Sequence, residues 1–114
     1  ADEPAWEALR ASFATVADDY AAEADRLRRR FKIMAANPSV FARSLQLQAG
    51  WEQALTERVS ARLGVGTDDP GPRLLAATAL AVMRASLQHW LTSSRPTPLP
   101  DLVQAAFDKL SRGL

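Results

Sequence analysis

Residues 28–45 read RRRFKIMAANPSVFARSL, a basic run followed by an apolar cluster and an Asn-Pro pair. Leu27, Phe31 and Met34 are four and three residues apart, a spacing that places them on one face of an α-helix. Pro38 disfavours helical geometry at the residue before it but suits the first turn of a new helix, for which asparagine is a good N-cap. The stretch therefore predicts two helices that meet at a sharp corner.

Arg29 and Arg30 of this stretch, like Arg26 just before it, lie off the apolar helix face and have acidic neighbours. Asp25 stands four residues before Arg29, a spacing that supports an ion pair on the helix surface. The whole chain carries 14 Lys and Arg against 13 Asp and Glu, which gives a net charge of +1. A nucleic-acid-binding patch needs a larger excess of positive charge, so a solvated helix face explains the run better.

Helical periodicity continues on both sides of the corner, and no alternating pattern typical of a strand is seen. Asp18 and Asp19 favour a break between a first and a second helix, although one long helix to residue 36 also fits the periodicity. Gly64 suits the end of a third helix. We predict one all-α domain over residues 1–114. Its five helices are expected at approximately residues 4–17, 19–36, 38–63, 72–92 and 99–112.

The third predicted helix carries polar residues in the middle of its apolar face. Phe41, Leu45 and Leu55 belong to one apolar stripe. Gln48 and Glu52 fall inside that stripe, where an unpaired buried amide or carboxylate would be costly. A hydrogen-bonded core pair, or a stripe that faces water at mid-length, explains the pattern. The wall of a mostly apolar ligand cavity with a few orienting polar groups explains it as well.

The fourth predicted helix is apolar almost all round, with small residues such as Ala77 and Ala81 on one side. A helix that is apolar on every side is normally buried on every side. A second copy of the chain would cover it if the last two helices of two chains formed a four-helix bundle about a twofold axis. Burial as a central helix within one chain is the alternative.

The sequence offers little chemistry for an enzyme. The chain has no cysteine, and His89 is the single histidine, so a metal site of His and Cys ligands is not expected. Glu52 could act as a general acid or base if buried, but no nucleophile or phosphate-binding loop accompanies it. We therefore expect no catalytic activity, no cofactor and no metal. No apolar run approaches the roughly 20 residues of a membrane span, so we expect a cytoplasmic protein without a membrane partner.

Six positions in the sequence match the pattern of a known protein family. They are the corner residues Arg30, Ile33, Met34 and Pro38, and the pair Trp90 and Leu91 near the end of the penultimate helix. In their order along the chain they resemble the C-terminal regulatory domain of TetR-family transcriptional repressors of bacteria. The resemblance covers nearly the whole chain. It implies a five-helix domain whose last two helices form a homodimeric four-helix bundle.

The same resemblance implies a function and a set of site residues. It implies a pocket for a small apolar or amphipathic effector, and no catalysis. DNA would be bound only through an N-terminal helix-turn-helix domain, for which this chain has no counterpart. The implied pocket residues are Phe13, Phe31, Met34, Phe41, Leu45, Gln48, Trp51, Glu52, Leu55, Met83 and His89. The implied dimer-interface residues are Leu74, Ala77, Thr78, Ala81, Ala85, Leu87, Trp90, Leu91, Leu102, Val103, Ala106, Phe107 and Leu110.

Two other classes of function are compatible with the residues. A helical protein–protein interaction module would have a solid core and no small-molecule site. A helical enzyme that used Glu52 and His89 would lose turnover in both single mutants. The regulatory domain is the interpretation that we prefer.

Overall fold

The computed structural model describes residues 3–66, 68–94 and 97–112. Within these ranges it contains five helices and no strand, which confirms the all-α prediction. The helices are α1 (Glu3–Ala22), α2 (Ala24–Ala36), α3 (Pro38–Leu63), α4 (Gly71–Thr92) and α5 (Leu99–Ser111). Over these same residues, no helix is both long enough and apolar enough to cross a membrane.

The corner between α2 and α3 forms as its sequence predicts. The side-chain Oδ1 of Asn37 accepts hydrogen bonds from the backbone N–H groups of Ser39 at 3.2 Å and Val40 at 3.4 Å. These groups lack partners within the helix, so the cap stabilises its first turn. At the other end of α3, Gly64 adopts the left-handed conformation with φ of 68°, which glycine reaches without a steric penalty.

The break between α1 and α2 lies at Glu23, and the prediction of a break at Asp18 and Asp19 was wrong. Both aspartates are exposed residues inside α1. On the opposite side of this helix, Phe13 and Ala17 are buried in the core. Packing of that apolar face keeps the helix continuous, because the capping preference of an exposed aspartate is worth only about 1 kcal/mol.

Helix α4 is central to the domain, since it contacts each of the other four helices. Its buried residues join a hydrophobic core formed mainly with α1 and α5, to which α3 adds a single buried side chain. The buried members of this core are Leu9, Phe13, Ala17, Val59, Ala79, Val82, Met83, Trp90, Leu99, Val103 and Phe107. Most of the apolar surface of α4 is therefore covered within one chain.

Helices α1 and α5 are joined by an aromatic and a polar contact. The ring centroids of Trp6 and Phe107 lie 4.7 Å apart, and the indole N–H of Trp6 donates to Ser111 Oγ at 2.8 Å. Arg10 pairs with Asp108, and its Nε donates to Gln104 Oε1 at 2.6 Å. These contacts bring the two ends of the chain together on one side of α4.

Replacement of Phe107 by Ala tests this core. The side chain is fully buried, with 0% exposure, so we expect the free energy of unfolding to fall by about 3–5 kcal/mol. Urea denaturation followed by circular dichroism measures the loss. Lys109→Ala, at an exposed position of the same helix, is the control and should change stability little. A loss below about 1 kcal/mol for Phe107→Ala would contradict the packing described.

Candidate functional site

The residues expected to line a ligand pocket differ widely in exposure. Phe13 and Met83 belong to the buried core. Phe41, Leu45 and Trp51 are about half exposed, Trp51 with 55% of its surface accessible. The partly buried members are Phe31, Met34, Gln48, Glu52 and Leu55, and His89 is exposed. In this single chain, the expected pocket residues therefore include core side chains as well as an open apolar surface along α3.

Two surface depressions lie away from these residues. One, of about 360 Å³, is lined by residues 21–26 and 29 around the break between α1 and α2. The other, of about 380 Å³, lies between α3 and the loop before α4. It is lined by Gln53, Thr56, Glu57, Ser60, Asp68, Asp69, Pro70 and Arg73. Neither depression includes an expected pocket residue, so an effector site stays a prediction.

Glu52, one of the two polar residues in the apolar stripe of α3, pairs with α4. Its Oε2 lies 2.9 Å from Nη1 of Arg73, and the same guanidinium donates to Gln53 Oε1. The pair is partly exposed, so its net contribution to stability is about 1 kcal/mol or less. It joins the start of α4 to the middle of α3. The sequence gives no local signal for this partner, which lies 21 residues away.

One arginine of the basic run contacts the core. The guanidinium of Arg28 lies over the ring of Trp90, 5.6 Å from its centroid. A cation over the face of an indole is attracted by the negative π surface. Trp90 is only 5% exposed, so this contact covers the indole with α2 of the same chain. Arg29 and Arg30 are exposed, in agreement with a solvated helix face.

The residues expected at a dimer interface fall into three groups. Trp90, Val103 and Phe107 are buried within the chain. Leu74 is 68% exposed and Ala85 is also exposed. The remaining ones are partly buried, namely Ala77, Thr78, Ala81, Leu87, Leu91, Leu102, Ala106 and Leu110. Leu74, Thr78, Ala81 and Ala85 follow helical spacing, so they form one accessible stripe along α4.

His89 lies at the exposed end of α4. Its Nε2 is 3.5 Å from Ser93 Oγ, and that hydroxyl donates to the carbonyl oxygen of His89 at 2.7 Å. Across residues 3–66, 68–94 and 97–112, no group of three or more His, Asp or Glu side chains is arranged to hold a metal ion. The local contacts of His89 are those of a helix C-terminus.

Comparison with known proteins gives the class of this chain. The family described as the MftR C-terminal domain, one of the TetR C-terminal domain families, matches residues 3–114. The chain belongs to this TetR-type family. A mycofactocin biosynthesis transcriptional regulator, MftR of Mycobacterium tuberculosis (strain ATCC 25618 / H37Rv), is 32% identical over 108 residues. No solved structure is significantly similar to the chain.

The match to the mycobacterial regulator covers 95% of this chain and 54% of the relative, so the chain spans about half the length of that protein. It is a TetR-type C-terminal domain, which confirms the family expected from the sequence. Among the residues that suggested this family, Pro38 begins α3 and Trp90 is a core residue of α4. Both determine how helices of the TetR-type domain meet.

Truncation of two tryptophans to alanine is expected to change the free energy of unfolding of this domain by different amounts. Trp51→Ala should change the free energy of unfolding by less than about 1 kcal/mol, because this side chain is largely exposed. Trp90→Ala should reduce it by about 3–5 kcal/mol, because the indole is buried and covered by Arg28. Urea denaturation of both variants, compared at the same protein concentration, measures the difference. Equal losses would contradict the exposure of α3 described above.

Proposed function

We propose that this domain binds a small apolar or amphipathic effector and holds a bacterial, cytoplasmic repressor together as a homodimer. A DNA-binding segment outside this chain would contact the operator. Membership of a TetR-type family supports control of transcription by the whole protein, as does the name of the mycobacterial relative. The domain itself would contribute neither catalysis nor DNA contacts. The observation that carries the proposal is the uncovered apolar surface on α3 and α4 of a regulatory domain.

Effector binding is supported by the exposure of large apolar residues on α3. Phe41 and Leu45 each have about half of their surface accessible, and covering such surface is favourable by roughly 25 cal/mol per Å². Gln48 lies on the same side of the helix by its spacing, so its amide is placed to orient a polar group of a ligand. An apolar molecule on this surface would therefore be stabilised by burial and oriented by a hydrogen bond to the Gln48 amide.

Dimerisation is supported by the composition of the accessible stripe on α4. Leu74 presents a large apolar side chain to solvent, and the positions that follow it, Thr78, Ala81 and Ala85, are small. Small residues let a partner helix approach closely, and the half-buried edge of α5 at Leu102 and Ala106 would extend the contact. Trp90, Val103 and Phe107 would act indirectly, because they hold α4 and α5 together within each protomer.

The dimer is tested by Ala81→Arg. A guanidinium in the middle of the stripe would bury an unpaired charge, so we expect the dimer Kd to rise by at least about 100-fold. Light scattering after size-exclusion chromatography, over a range of protein concentrations, measures the oligomeric state. Ala61→Arg, at an exposed position on α3, is the control and should remain dimeric. Unchanged association of Ala81→Arg would contradict the proposed interface.

Effector binding is tested by native mass spectrometry of freshly purified, untreated protein and of two variants. We expect an adduct of a few hundred daltons that is lost in Leu45→Arg, because the charge would lie against the bound apolar molecule. Gln46→Arg is the control and should retain the adduct, since Gln46 is exposed and lies on the opposite side of α3 from the expected pocket residues.

The alternative function gives a different result in the same experiment. A helical interaction module would carry no adduct. It would also show no thermal stabilisation by fatty acids or by hydrophobic drugs, because a ligand stabilises only a folded state that binds it. That combination of results would remove the effector site from the proposal and leave the dimer intact.

A further inference from the structure

No residue between Ala17 and Val59 is buried, and this stretch includes α2 and the first half of α3, residues 24–49. Helices α1, α4 and α5 each contribute several buried side chains, and the second half of α3 contributes Val59. In proteins, most of the stability of a helix comes from packing of its apolar face. Segments with few buried contacts open locally at a lower free energy than the core does. Residues 24–49, here called the arm, are thus weakly anchored to the core.

The side-chain contacts of the arm are mostly local. Within residues 3–66, 68–94 and 97–112, its hydrogen bonds join Asn37 to the first turn of α3 and Ser44 to Phe41. Its ion pair joins Arg26 to Glu23, the residue next to the arm. Contacts that reach further are the packing of Ala24 and Leu27 against the core and the position of Arg28 over the ring of Trp90. All three residues lie in the first turns of α2, so none of these contacts holds the corner at the far end.

Gly50 lies between the arm and the part of α3 that contacts α4 through Glu52 and is buried at Val59. A glycine inside a helix lowers the equilibrium constant for helix formation about fivefold relative to an alanine at the same position. Packing does not require a glycine here, because a Cβ at this position would have no atom within 4 Å. Backbone geometry does not require one either, since Gly50 is part of the continuous helix Pro38–Leu63 and has no positive φ. Beyond it, Glu52 pairs with Arg73, and Val59 is buried.

We propose that Gly50 is a hinge, about which the arm moves as a unit relative to α1, α4 and α5. The second pivot is Glu23, the residue between α1 and α2, whose φ of −118° and ψ of 33° are not helical. The contact of the Arg28 guanidinium with the Trp90 ring favours the arm position seen here. Hinges of this kind are a few residues that absorb the change in backbone angles. The motion is a property of the chain and needs no ligand.

The motion has a consequence that rests on the proposed function. The arm carries Phe31, Met34, Phe41, Leu45 and Gln48, which are about half of the expected pocket residues. Met83 and Phe13 lie in the anchored core. Movement of the arm would therefore change the distance between these two groups. A ligand that binds only one arm position would shift the population towards it.

The absence of cysteine from the sequence makes the motion directly measurable with spin labels. One label is placed on the arm through Ser39→Cys and the other on α1 through Ser12→Cys, both at exposed positions. A reference pair joins Ser12→Cys to Lys109→Cys across α1 and α5. Mixing with excess unlabelled chain limits each dimer to one labelled protomer. We expect double electron–electron resonance spectroscopy to give a wider distribution of label-to-label distances for the arm pair than for the reference pair.

Three variants identify Gly50 as the pivot. Gly50→Ala should narrow the distribution of the arm pair towards that of the reference pair. Gly50→Ala combined with Ala49→Gly moves the glycine by one residue and should restore the width. Gly50→Ala combined with Ala61→Gly keeps the same composition but places the glycine in the anchored half, so the distribution should stay narrow. Arg28→Ala should widen it, and Arg29→Ala, at an exposed position of the same helix, should not.

Two results would overturn the inference. Equal widths for the arm pair and the reference pair would show that the arm does not move. A width that is insensitive to Gly50→Ala would show that the glycine is not the pivot. Failure of the proposed function is separate, because the distances are measured without a ligand and a mobile arm could exist in a domain that binds none.

Discussion

Packing of α4 against all four other helices is the constraint on which this domain depends. The helix has too much apolar surface to be stable in water, and all four neighbours cover it. Helix α3 makes the most extensive contact, and α1 and α5 contribute the buried side chains Phe13, Val103 and Phe107. The Trp6 and Arg10 contacts to α5 then bring the beginning and the end of the chain together. Because these contacts join residues that are distant in sequence, the core holds α1, α4 and α5 as one body.

Covering α4 within one chain leaves a smaller surface for a partner than an isolated helix would present. The part that stays accessible is the stripe that begins at Leu74 and continues over small residues. The two interpretations of an apolar α4, a central helix and a dimer helix, are therefore compatible. One side of α4 stabilises the protomer, and the proposed dimer uses the side that remains.

Local signals in the sequence predicted the helices of this fold well. Asn37 and Pro38 define the corner before α3, and Gly64 ends the same helix, because caps and turns depend on residues that are adjacent in the chain. Asp18 and Asp19 misled the prediction, since packing of α1 outweighs a weak capping preference. The contacts of Glu52 with Arg73 and of Arg28 with Trp90 could not be predicted, because periodicity shows which face of a helix is apolar but not which distant residue meets it.

For the candidate site, too, helical periodicity predicts only part of the arrangement. Periodicity predicts that Phe41, Leu45 and Gln48 share one side of α3, but it could not distinguish a face that is covered from one that is open. That distinction depends on how far α2 and α3 lie from α4, which is a property of the tertiary structure. The residues of the TetR-type resemblance supplied the family, and the comparisons confirmed it.

Helix α3 connects the two parts of the molecule that the proposed function would couple. Its first half belongs to the arm, and its second half is fixed to α4 through Glu52, Arg73 and Val59. Helix α4 in turn carries the stripe proposed for dimerisation, so a movement of α3 would act on that stripe directly and not through the loop between the two helices. Coupling of this kind requires an element with two arrangements whose equilibrium both sites influence. A hinge at Gly50 supplies that element, because bending there changes the arm while the anchored half of α3 remains packed on α4.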